Sequence, residues 1–73
     1  MKLNELGIGK TACIKAVNGT GALRRHLLDM GLTPKTAVTL QKIAPMGDPI
    51  EIRLRSYNLT LRIADAMNIE MED

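Results

Sequence analysis

Gly9-Lys10-Thr11 ends the way the phosphate-cradling pattern GxxxxGK[ST] ends, where backbone amides and a lysine hold the phosphates of a nucleotide. The first glycine of that pattern would fall at position 4, which is Asn4, and no strand has room to precede it. The segment therefore reads as a turn before the first strand. His26 is the sole histidine and Cys13 the sole cysteine, so neither a tetrahedral metal cage nor an internal disulfide can be assembled from them. The carboxylates Asp48, Glu51, Asp65 and Glu70 could offer weak oxygen contacts to a metal ion, but their scatter over loops and strands suits a soluble surface better. Ser56 lies in a turn, remote in sequence from His26, and no pair of carboxylates has a spacing that argues for acid–base work. The chain reads as a non-enzyme. Asn18-Gly19-Thr20 and Asn58-Leu59-Thr60 match the glycosylation sequon, which carries no weight without a secretory signal.

Arginines are the remaining chemical candidates. Arg24 and Arg25 mark a helix, while Arg53 and Arg55 share the outward side of one strand. Such a stripe can hold phosphates, yet single-strand nucleic-acid binding also uses aromatic stacking platforms, and Tyr57 is the only aromatic residue. Nucleic acid is thus the weaker reading. The same scarcity tells against an aromatic-lined groove for proline-rich peptides.

The elements that must position these residues follow from periodicity. Leu3 and Leu6, followed by Gly7 and Gly9, read as a leader covering one end of the fold. A first strand is expected over 12–17 with Ile14 and Ala16 on one face, then a turn-rich loop in which Thr20 is a candidate N-cap. Over 22–31, Leu23, Leu27 and Met30 fall on one helical stripe, and Gly31 with Pro34 ends the helix. Arg24, Arg25 and Asp29 take the exposed side, with Arg25 and Asp29 spaced to pair; Leu28 lies off the stripe, either under the leader or on a docking surface. From Thr36 the period becomes two: Val38 and Leu40 against Thr39 and Gln41, then Ile50, Ile52 and Leu54 against Glu51, Arg53 and Arg55. The loop Ala44-Pro45-Met46-Gly47-Asp48-Pro49 joins them into an antiparallel hairpin. Ser56-Tyr57-Asn58 connects to a strand over 59–62; a helical turn over 63–67 with Ile63 and Met67 four apart, and a last strand over 68–71 with Ile69 and Met71 inward, complete the chain.

Seventy-three residues make one domain, expected over 1–73, whose core rarely contributes more than roughly 3–5 kcal/mol without a staple. Apolar content of 45% with 25% charged residues argues against disorder, and the absence of Phe and Trp makes the core aliphatic. Net charge is only +2, with Glu70, Glu72 and Asp73 gathering acid at the end. No apolar run approaches a membrane span and the first residues lack the apolar region of a signal peptide, so a cytoplasmic protein without direct membrane insertion is expected.

Residues 25–34 (a basic residue, paired leucines, then Met-Gly-Leu-Thr-Pro), 44–50, and 59–62 with Ala66 following carry a resemblance that covers nearly the whole chain. They resemble the FeoA family, small cytoplasmic proteins that accompany the bacterial ferrous-iron transporter FeoB. Two positions depart from the family pattern: Lys35 and Ser56 stand where glycine is common. Lys35 points to a type I rather than a type II turn, since type II needs a positive φ at its third position. The resemblance implies a mainly β fold: an SH3-like small β-barrel of about five strands, with one short helix after the first strand and a helical turn near the C-terminus. It implies an accessory or regulatory protein of ferrous-iron uptake, monomeric or weakly dimeric, with no cofactor, docking on the cytoplasmic part of the membrane GTPase and iron transporter FeoB. Arg24, Arg25, Leu28 and the loop tip at Met46 are the expected contact residues, methionine being adaptable to a partner's shape. The alternative is an SH3-like regulatory module related to the C-terminal domain of iron-dependent repressors, acting with another chain that supplies the DNA-binding part.

Overall fold

Alternation in the sequence becomes five strands, β1 (Thr11–Val17), β2 (Ala37–Ile43), β3 (Ile50–Leu54), β4 (Tyr57–Leu61) and β5 (Ile69–Met71), paired antiparallel in the order β4-β3-β2-β1-β5. The structure, a computed structural model, describes residues 1–72. Two helices interrupt the strands, α1 (Gly21–Asp29) between β1 and β2, and the single turn α2 (Ile63–Ala66) between β4 and β5. Buried Leu3, Ile14, Val17, Leu27, Leu32, Val38, Leu40, Ile50, Ile52, Leu54, Ile69 and Met71 form one aliphatic cluster inside the curled sheet. The mainly β class, the strand count and both helical pieces agree with the sequence reading.

Two β-bulges correct the expected parity. In β1, Ile14 faces Met71 and Ala16 faces Glu70, so Lys15 is an extra residue and the inward side chains are Ile14 and Val17 rather than Ile14 and Ala16. In β2, Leu40 faces Ile52 while Lys42 faces Glu51, which leaves Gln41 as the inserted residue. Each bulge tightens the local twist, and tight twist lets so few strands curl around a core. Curling stops short of hydrogen-bonded closure: β4 and β5 are the two edges of the sheet. The leader protects the second, since Lys2 bridges Glu70 and the Met71 amide donates to the Met1 carbonyl at 2.7 Å. Leu3 and Leu6 are buried under it, as expected.

α1 begins at Gly21, one residue earlier than the periodicity suggests, with Thr20 at its N-cap position but making no side-chain cap. Its end is built as expected. Gly31 takes φ +97°, and the Met30 and Leu32 amides donate to the His26 and Leu27 carbonyls. A Cβ on Gly31 would lie 2.8 Å from Arg55 Nη1 and 2.8 Å from Tyr57 Oη and would displace the ends of both side chains, but it is the positive φ that calls for glycine here. The Tyr57 hydroxyl donates to the Met30 carbonyl, satisfying a helix-end acceptor that would otherwise lack an intrahelical partner.

The turn after it overturns the type I expectation. Lys35 has φ +73° and the Thr36 amide donates to the Thr33 carbonyl at 3.1 Å, the geometry of a type II turn with Pro34 at its second position. Neighbouring bonds hold this conformation against the side chain's preference: the Lys35 amide donates to the Ile14 carbonyl, the Ile14 amide to the Thr36 carbonyl, and the Thr33 and Thr36 hydroxyls meet at 2.8 Å.

Two smaller expectations also change. The β3–β4 connection is Arg55-Ser56, with Arg55 at φ +54°, so Arg55 belongs to the turn and does not share the strand face of Arg53. Asp48, expected only to keep the surface soluble, accepts the Ile63 amide at 2.9 Å and so caps α2 from the β2–β3 loop.

Candidate partner-docking surface

α1 carries three of the four expected contact residues, and each has a different situation. Arg24 donates from Nε to the Val17 carbonyl at 3.0 Å, pinning the helix to the end of β1, so part of its guanidinium is spent on the fold. Arg25 is exposed and faces a shallow cleft of about 440 Å³ with Gly21, Ala22, His26 and Asp29. Although spaced to pair, Arg25 and Asp29 make no ion pair; between described side chains the one ion pair is Lys2–Glu70, at 3.2 Å. Leu28 is half-buried and packs on the core cluster.

Met46 is 94% exposed at the tip of the β2–β3 loop. Two backbone bonds shape the loop: the Gly47 amide donates to the Ala44 carbonyl and the Ala44 amide to the Pro49 carbonyl. The C-terminal end of α1 lies beside Tyr57, at the end of β3 away from the β2–β3 loop; five strand residues span about 13 Å.

Sequence reasoning missed the apolar groove beside Met46. Ile43, Ala44, Pro45, Pro49 and Ile50 line it, with Lys42, Glu51 and Thr60 on its rim, and it encloses about 230 Å³. The signal was present as three apolar residues and two prolines in eight positions, but alternation assigned Ile43 to no face because the bulge at Gln41 was not visible. Among the described residues no three His, Cys, Asp or Glu side chains converge as a metal site requires. No helix is long and apolar enough to cross a membrane.

The FeoA-domain family model matches residues 1–73. This chain belongs to the FeoA family. A curated relative, the Fe(2+) transport protein A/Fe(2+) transporter FeoB fusion protein of Porphyromonas gingivalis, is 40% identical over 72 residues, which are 99% of this chain and 8% of the relative. The FeoA chain thus spans a small fraction of that protein's length. Among solved structures, iron(II) transport protein A from Clostridium thermocellum matches with a TM-score of 0.93 at 39% identity, over 99% of this chain and 44% of the other. The Stenotrophomonas maltophilia FeoA, described as a procaryotic SH3 domain protein complexed with zinc, matches at 0.87 and 24% identity over 99% and 89% of the two chains. At that identity the likeness speaks for the SH3-like fold alone, as does one of 14% to a manganese-dependent transcriptional repressor at a TM-score of 0.85, over 94% and 39% of the chains. The FeoA family is linked to ferrous-iron transport, and the expected fold of this member is the observed one.

Proposed function

We propose that this FeoA chain is a non-enzymatic accessory module of bacterial ferrous-iron uptake that docks on the cytoplasmic part of a FeoB transporter. One observation carries the reading: a relative 40% identical over nearly the whole chain is joined to FeoB in one polypeptide. A covalent link holds two modules at high effective concentration, so a weak contact suffices there, whereas a separate chain must supply its own contact surface. The exposed groove at the β2–β3 tip and the exposed Arg25 side of α1 are the candidates. Iron is the transporter's cargo in this scheme and needs no site on the module.

Calorimetric titration of the purified chain into the cytoplasmic domain of FeoB from the same organism, with and without guanine nucleotide, tests it. Saturable binding that is tighter in one nucleotide state is expected, because only differential affinity can shift a switch. Absence of binding both to that domain and to intact FeoB in membranes would remove the proposal. The alternative, a regulatory module working with a DNA-binding chain, draws on the shared fold; it predicts salt-resistant, sequence-selective DNA binding in a mobility-shift assay.

A further inference from the structure

β5 is covered by the leader, but β4 ends the sheet with its outer side open. The hairpin fixes which groups that side offers. Leu54 and Tyr57 face each other across Arg55-Ser56, and a two-residue turn closes with a bond between its flanking residues. Leu54/Tyr57, Ile52/Leu59 and Ile50/Leu61 are therefore the bonded pairs, and Arg53/Asn58 and Glu51/Thr60 the non-bonded ones. The amides and carbonyls of Asn58 and Thr60 point away from β3, and among the described residues no other segment bonds them. An extended chain laid along this edge meets two donors and two acceptors.

Charge and shape choose the occupant. Arg53 lies beside the edge, Arg55 and Arg62 flank its two ends, and Lys42 stands at the groove that Thr60 borders. Among the described residues none of the four has an ion-pair partner. Against them stand Glu51 and Asp48, the latter engaged with the Ile63 amide. The groove, at about 230 Å³, is smaller than the roughly 300–1,000 Å³ of small-molecule sites and suits a side chain. A second copy fits poorly: pairing β4 with itself about Leu59 sets Arg62 opposite Ser56 of the other copy, next to that copy's Arg55.

We propose that β4 is a docking edge that takes an extended, acidic segment of a protein partner as a sixth strand, with one of the segment's apolar side chains in the Ile43/Pro45/Pro49 groove. The proposal rests on the docking function above and names its surface.

Two titrations followed by amide NMR and hydrogen exchange test it. The first uses a synthetic probe of alternating Asp and Leu or Val residues, with a Lys-for-Asp version as control. The second uses the FeoB cytoplasmic domain. The acidic probe is expected to shift and protect the Asn58 and Thr60 amides, and the lysine version to leave them unchanged. Thr60→Pro, which removes an outward donor without touching the β3 ladder, and the double charge reversal Arg53→Glu with Arg62→Glu should each weaken binding at least about tenfold. The charge reversal keeps the test decisive should the proline variant misfold. Equal response to both probes, or none at Asn58 and Thr60, overturns the edge proposal. If FeoB binds while those amides keep their free exchange rates, the docking function stands and the edge falls. If the acidic probe binds there and FeoB does not, the edge stands and the partner is another protein.

Discussion

Lys35 shows how much a single side chain can be overruled. A non-glycine residue at positive φ costs roughly 1–2 kcal/mol, and here the surrounding turn and two strand bonds maintain it. Lys35→Gly should stabilise the protein by about 0.5–1 kcal/mol, the relief less glycine's greater entropy loss on folding, read as a higher urea midpoint with unchanged slope. Gly31 is the converse case. Gly31→Ala puts a side chain at positive φ and displaces the ends of Arg55 and Tyr57, and should cost about 1–2 kcal/mol, mostly from the dihedral, in the same experiment. Tyr57→Phe should cost about 1 kcal/mol by unpairing the Met30 carbonyl. Met46→Ala, at an exposed tip, should leave unfolding within about 0.5 kcal/mol of the parent. Gly31 was readable in sequence because Leu27, Met30 and Pro34 surround it with helix-end signals. The positive φ at Lys35 was not readable, since its cause lies in Ile14, twenty-one positions away.

Elements were legible where a period runs unbroken. Val38 and Leu40, and Ile50, Ile52 and Leu54, point inward as their alternation requires, and the Leu23/Leu27/Met30 stripe packs on the core. The bulges at Lys15 and Gln41 were illegible because one inserted residue leaves no compositional mark; it shows only when the partner strand is known. Three of the four expected contact residues lie on a helix and the fourth on a loop tip, as their periodicity and turn residues indicate. The cap on α2 is non-local. α2 has four residues, too few to hold itself together, and the Asp48 carboxylate supplies an acceptor for its first amide from fifteen positions upstream. Asp48→Ala should therefore cost about 1 kcal/mol and raise hydrogen exchange in 63–68 before the rest of the sheet.

As a whole the molecule is a small aliphatic core wrapped by a sheet with one guarded edge and one open edge. The proposed docking edge draws on that asymmetry: an open edge of the kind that takes up further strands is here bordered by Arg53, Arg55 and Arg62. The guarded edge has its own consequence. The Met1 carbonyl receives the Met71 amide and Lys2 lies against Glu70, so the first and last described strands of backbone leave the body at one spot. A polypeptide attached before Met1 or after Glu72 would depart from the same pole. A chain joined at either end would therefore be tethered beside β5, away from the open edge at β4.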